Sequence, residues 1–172
     1  MLKIRKHIRE DVPYRVKWLN TDEVNRFIWD GAWQRTTLTK QNEWFDRYLK
    51  TKNSEFFTIC NWEKPIWFMW LSNISKVNRN AELFIAIWDN DYRWRWFGKN
   101  AMLWLIKYAF EKLKLHKLNL WVFEENTQAV ELYKKLGFQI EWIMKEDAFL
   151  EWRFQNTYSM WLLARDYQKS DI

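Results

Sequence analysis

The residues best placed to do chemistry fall in one stretch, Asp89-Asn90-Asp91-Tyr92-Arg93-Trp94-Arg95-Trp96-Phe97-Gly98-Lys99. A strand-like run, Ala81 to Ile87, leads into it, and a helix-like run, Lys99 to Lys112, leads out. The first N–H groups of a helix lack internal partners and the helix dipole favours negative charge there, so a strand, a basic turn and a helix together form an anion site. Arg93, Arg95 and Lys99 add the positive charge that phosphate oxygens accept. In shape the stretch is a phosphate cradle. In composition it is unusual, because close approach of backbone to phosphate favours glycine and positions 94 and 96 hold tryptophan.

The surrounding periodicities predict the elements that hold this loop. Leu2 to Ile8 alternates as a first strand. Asp11 to Leu19 and Asp22 to Phe27 read as short helices opening at acidic residues. Thr37 leads into a helix from about Lys40 to Leu49. Glu55 to Cys60 and Ile66 to Leu71 form a hairpin about Trp62-Glu63-Lys64, and Ala81 to Ile87 is the fourth strand. Lys117 to Phe123 is a fifth strand. Asn126 caps a helix running to Leu136, and Gly137 suits its C-terminal stop. Phe138 to Met144 and Asn156 to Leu163 close the chain around Glu151-Trp152-Arg153. The fold class predicted is α+β (mixed α/β): a central mixed sheet of about seven strands flanked by helices. No repeat or linker interrupts residues 1–172, which predicts a single domain.

Composition narrows the function. Net charge is +6, 48% of residues are hydrophobic and 29% are charged, a globular profile. The longest apolar run, Ala101 to Ile106, is far short of a membrane span, and the charged N-terminus does not suit a signal peptide. Cys60 has no second cysteine to pair with, which fits a reducing cytoplasm. Two histidines and one cysteine argue against a zinc site, and no metal cofactor is expected.

Two stretches resemble the GNAT superfamily of acetyl-CoA-dependent N-acetyltransferases. Arg93-Trp94-Arg95-Trp96-Phe97-Gly98 is similar to the family's Gln/Arg-x-x-Gly-x-Gly/Ala phosphate motif, with the middle glycine replaced by Trp96. Val122 through Phe138 follows the family's Asn-x-x-Ala-x-x-x-Tyr-x-x-x-Gly-Phe segment from Asn126 through Ala129 and Tyr133 to Gly137-Phe138. The tail resembles the ribosomal-protein and spermidine acetyltransferase branch. The resemblance covers roughly residues 1–167. It implies a cytoplasmic N-acetyltransferase that moves an acetyl group from acetyl-CoA to a primary amine: a protein N-terminus, a polyamine or an amino sugar. The amine is a small molecule or a peptide. A membrane partner is not expected, a nucleic-acid partner ranks low, and a homodimer is compatible.

The resemblance also assigns roles. Tyr133 matches the tyrosine that gives a proton to the coenzyme A thiolate, although periodicity alone places it on an apolar stripe with Ala129, Val130 and Leu136. Glu82 lies where several relatives carry a base. Alternation turns it and Phe84 away from Ala81, Leu83, Ile85 and Ile87. Backbone N–H groups at Ile85 and Ile87 would hold the pantetheine arm and the oxyanion. The N–H groups of Trp94, Arg95, Trp96, Phe97, Gly98 and Lys99, with the Arg93 and Arg95 side chains, would hold the pyrophosphate. Asn126 matches a contact to the coenzyme arm, and it is also a helix cap.

The chain has 15 Trp and 3 Gly, where average usage would give about 12 glycines. In the branch it resembles, glycine would be unsurprising at Trp62, Trp67, Trp70, Trp88, Trp94, Trp96, Trp121, Trp142, Trp152 and Trp161. Glycine at all of these restores an ordinary count. Either the tryptophans are genuine, or the host reads the UGA codon as glycine; the second accounts for both the number and the positions. If they are genuine, an indole at position 96 occupies space the pyrophosphate needs, and the alternative is a non-catalytic binding module on the same scaffold. The cation–aromatic alternation Arg93-Trp94-Arg95-Trp96-Phe97 also fits a single-strand nucleic-acid groove, a weaker reading because it rests on the same tryptophans.

Overall fold

A computed structural model describes residues 2–22, 34–85, 94–150 and 152–167, without the side chains of 94–97. Seven hydrogen-bonded strands form one mixed sheet in the order β1-β2-β3-β4-β5-β7-β6. They are β1 (Leu2–Lys6), β2 (Glu55–Asn61), β3 (Lys64–Ser75), β4 (Asn80–Ile85), β5 (Lys117–Phe123), β6 (Gln139–Leu150) and β7 (Arg153–Leu163). Among the described residues the α-helices are α1 (Val12–Leu19), α2 (Leu38–Lys50), α3 (Trp94–Lys107) and α4 (Thr127–Lys135). The α+β expectation holds. The chain divides into two compact units, residues 1–72 with 85–101 and residues 73–84 with 102–172.

In the first unit β1 runs antiparallel to β2 (Leu2 opposite Asn61, Lys6 opposite Phe57), and β2 runs antiparallel to β3. The β2–β3 hairpin forms because Phe56 to Cys60 and Pro65 to Leu71 are apolar runs broken by a short polar turn. Phe57, Phe68, Met69 and Leu71 fill its core. Helix α2 starts where expected because the Thr37 hydroxyl accepts the Lys40 N–H at 3.2 Å. The expected helix over Asp22 to Phe27 lies almost wholly outside the described residues.

In the second unit β4 and β5 are parallel, as the strand–helix–strand order predicts, with Asn80 opposite Lys117 and Ala81 opposite Leu118. Met102, Leu105 and Ile106 of α3 are buried, as are Leu118 and Leu120 of β5 and Met160 and Leu162 of β7. The helix expected over Lys99 to Lys112 begins earlier, at Trp94, and its last turn, Tyr108–Lys112, widens into a π-helical turn. Helix α4 ends at Lys135, and just past its cap Gly137 has a φ of +93° that favours a residue without Cβ; the Gly137 N–H donates to Lys134 O at 3.0 Å.

Strands β6 and β7 run further than periodicity predicts, to Leu150 and from Arg153. The polar run Lys145-Glu146-Asp147 hides β6 in the sequence. Glu146 takes a φ of +53° at a register shift between Met144 and Ala148, and its N–H donates to Asn156 Oδ1 at 2.9 Å. A bulge admits such residues into a strand without burying them.

Candidate functional site

Pairing between the parallel strands β4 and β5 stops at Glu82 opposite Asn119. β4 continues to Ile85 and β5 to Phe123, so beyond Glu82 the facing backbone groups of the two strands are not joined to each other. A gap between parallel strands can admit an extended ligand. Leu120 to Phe123 remain tied to β7 on their other edge, Leu120 opposite Met160 and Phe123 opposite Thr157, so the opening has a fixed wall.

Glu82 sits at the mouth of this opening. Alternation along β4 is as expected: Ala81 and Leu83 are buried, while Glu82 and Phe84 are half-buried. Glu82 Oε2 accepts a hydrogen bond from Asn73 Nδ2 at 2.9 Å. Sequence reading missed Asn73. Its only signal there is a small polar residue inside an otherwise strand-like run.

Asn126 ends the β5–α4 connection. Its side-chain oxygen accepts the Ala129 N–H at 3.2 Å, and its N–H donates to Phe123 O at 3.0 Å. The cap uses Oδ1 and leaves Nδ2 as a donor, so capping and ligand contact are compatible. Two turns of helix later, Tyr133 is 7% exposed with its ring centroid 6.0 Å from that of Phe138. Burial pushes its phenol up to about 12. At neutral pH it therefore carries its proton and can donate it but cannot act as a base.

The described part of the expected phosphate loop is limited. Ile87 and Arg93 lie outside the described residues. Trp94, Arg95, Trp96 and Phe97 open α3, Gly98 is buried within it and Lys99 is exposed. The helix thus starts inside the expected loop rather than after it, so the unpartnered first-turn N–H groups belong to its opening residues and not to Lys99. Glu124 and Glu125, beside Asn126, are engaged within the chain: Asn156 Nδ2 donates to Glu124 at 2.7 Å, and Arg153 pairs with Glu125 at 2.7 Å. Among the described residues no group of three or more His, Cys, Asp or Glu is placed to hold a metal, and no helix is long and apolar enough to cross a membrane.

A second polar cluster lies in the first unit. Arg5 binds Asp11 with two hydrogen bonds, at 2.6 and 2.7 Å. The Thr58 hydroxyl donates to Asp11 Oδ2 at 2.7 Å, and His7 Nδ1 lies 2.8 Å from Thr58 Oγ1. The Thr58 proton is committed to Asp11, so His7 must donate from Nδ1, which leaves Nε2 as a buried lone pair without a partner. Burial, outweighing attraction to Asp11, lowers His7 from 6.5 to about 4. Burial would raise the Asp11 carboxyl, but hydrogen bonds from Arg5, Thr58 and the Ile8 N–H hold it below the usual carboxylate range.

Both groups bind fewer protons in the folded chain than in the unfolded one, so stability falls as pH falls. The His7 contribution is present in full above about pH 6.5 and is lost progressively down to about pH 4, roughly 3 kcal/mol in all. Thermal melts from pH 8 to 4 should show this loss. In Thr58→Val the acid-dependent slope should change, because the relay between His7 and Asp11 is cut; an unaltered slope refutes the assignment.

Residues 1–139 match the family model described as acetyltransferase (GNAT) domain. The chain is 27% identical over 167 residues to a spermidine N(1)-acetyltransferase of Escherichia coli K12, covering 96% of this chain and 88% of that protein. It is 30% identical over 172 residues to an uncharacterized N-acetyltransferase, p20, of Bacillus licheniformis, covering 96% and 94%. In fold it is similar to a crystal structure of spermidine N-acetyltransferase from Vibrio cholerae in complex with CoA and spermine. That likeness has a TM-score of 0.89 at 24% identity and covers 96% of this chain and 97% of that one.

Proposed function

The chain belongs to the acetyltransferase (GNAT) domain family, whose enzymes take acetyl-CoA as acetyl donor, and from that premise we propose that it acetylates a primary amine by direct transfer within a ternary complex, acting as one acetyltransferase domain in the cytoplasm. The observation that carries the reading is Glu82 at the last paired position before β4 and β5 part. Spermidine N(1)-acetyltransferases among the relatives favour a polyamine as the amine; a protein N-terminus and an amino sugar are the alternatives.

The chemistry required is specific. An alkylamine has a pKa near ~10.4 and arrives protonated. Its nitrogen must lose a proton, attack the thioester carbonyl, form the C–N bond and break the C–S bond. Acetyl-CoA supplies the activated acetyl group and leaves as the thiol. In the proposed assignment Glu82 accepts the amine proton, directly or through one water. Tyr133 gives its phenolic proton to the departing sulfur, and burial ensures that the proton is there to give. Backbone N–H groups at Ile85 and Ile87 stabilise the oxyanion. The start of α3, from Trp94 to Lys99 with Arg93 and Arg95, takes the pyrophosphate, and Asn126 Nδ2 takes an amide of the pantetheine arm.

The backbone arrangement suits that donor, with glycine rather than an indole at position 96 being what close approach of the phosphates calls for. An opened pair of parallel strands matches the extended, amide-bearing arm, and a basic helix start matches a diphosphate. A steady-state thiol-release assay with acetyl-CoA across spermidine, spermine, an N-terminal peptide and glucosamine tests the reading. The expected result is turnover with the polyamines at the highest kcat/KM. No thiol release with any amine sinks the proposal, and preference for the peptide moves the substrate class.

A further inference from the structure

We propose that Asn73 is a positioning residue for Glu82, holding one carboxylate oxygen so that the other faces the amine proton. The inference rests on Glu82 being the base. Asn73 lies inside β3, two residues before its end, yet has a φ of +51°. A side chain there breaks the strand's alternation, a conformation that asparagine tolerates better than most residues but that no strand requires. Left-handed residues in strands commonly serve to re-aim a side chain, and in this case the re-aimed amide donates to Glu82 Oε2 at 2.9 Å.

The segment carrying both residues is a tight hairpin. Asn78 N–H donates to Ser75 Oγ at 3.0 Å, and Arg79, also left-handed at +54°, donates from Nε to Lys114 O at 3.0 Å. Asn73 and Glu82 are therefore held at fixed separation on its two arms.

The choice of an amide is chemically informative. A lysine or arginine partner would stabilise the Glu82 anion and make it a poor base. An amide orients the carboxylate with a neutral hydrogen bond and leaves Oε1 available. The residue across the sheet, Asn119, is also uncharged. Among the described residues, Lys117 of β5 pairs with Glu141 at 2.9 Å, and Arg79, just before β4, donates to Lys114 O.

Asn73→Gly removes the amide and suits the left-handed backbone, so it keeps the fold. The expected result is a fall in kcat on the order of tenfold, an unchanged KM for acetyl-CoA, an undiminished melting temperature, and an acidic limb of the kcat/KM profile moved to higher pH. Asn73→Asp keeps the shape but brings a second negative charge, and should move the limb further. An Asn73→Gly enzyme with wild-type kcat and an unmoved limb overturns the positioning role. Glu82→Gln separates the two readings. If it loses activity while Asn73→Gly does not, only the positioning proposal fails; if it keeps wild-type kcat, the base assignment fails and the role of Asn73 fails with it.

Discussion

Replacing Tyr133 by Phe should lower kcat by about 10²- to 10⁴-fold, the span of one general acid, while leaving the fold intact. Phe keeps the ring that packs near Phe138 and removes only the hydroxyl. The KM for acetyl-CoA should change little, because the proton is needed when the C–S bond breaks and not when the coenzyme binds. The pH profile gives a second check. A phenol pushed up to about 12 by burial does not titrate in an ordinary assay range, so the wild-type basic limb should reflect other groups and the loss in Tyr133→Phe should be uniform across pH. Activity within twofold of wild type would show that Tyr133 is a core residue and nothing more.

The second large effect concerns the tryptophans, and the structure separates them into two kinds. Trp62 and Trp152 stand in the turns of the β2–β3 and β6–β7 hairpins with φ of +57° and +63° and are 69% and 93% exposed. Neither conformation suits a residue with a Cβ, at a cost of roughly 1–2 kcal/mol each, and little burial offsets it. Gly loses more backbone entropy, about 0.5–1 kcal/mol, so Trp62→Gly and Trp152→Gly should each stabilise by up to about 1 kcal/mol, a rise of roughly 2–4 °C in melting temperature.

Trp67 is the opposite case. It is 3% exposed and stacked on Phe68 at 5.5 Å between centroids, so Trp67→Gly in this chain should cost about 3–5 kcal/mol through the cavity left behind, even though its indole N–H has no partner. Urea melts of the single variants check both signs. Intact mass of the protein from its native host checks the codon reading: ten glycines in place of ten tryptophans support it, and a mass matching tryptophan at every one refutes it.

Much of the fold was legible because it depends on local rules. The cap at Asn126 and the stop at Gly137 follow from side-chain and backbone preferences that act over a few residues, and both were found where periodicity placed them. β5 matched its expected limits because its apolar run is bounded by polar residues on both sides. β6 was cut short in the reading because its faces are largely exposed, and an exposed strand need not alternate. The positive φ of Trp62 and Trp152 was legible in outline, since the chain must turn tightly there.

By itself the sequence determined the family and the acetyl donor, since the segment from Asn126 to Phe138 is a local pattern of residue types at fixed spacing; that segment also proposed Tyr133 as proton donor, and the place of Glu82 on the fourth strand proposed it as base. Only the tertiary structure decided what surrounds them. Asn73 and Glu82 meet because a hairpin folds back, and a register between strands is not written in either strand alone. Arg5, His7, Asp11 and Thr58 share one buried network because β1 pairs with β2, a contact between residues about fifty positions apart. Proton affinities follow from burial, and burial is a property of the packed chain: the same tyrosine on an isolated helix would be an ordinary phenol, whereas enclosed at position 133 it holds its proton up to about 12.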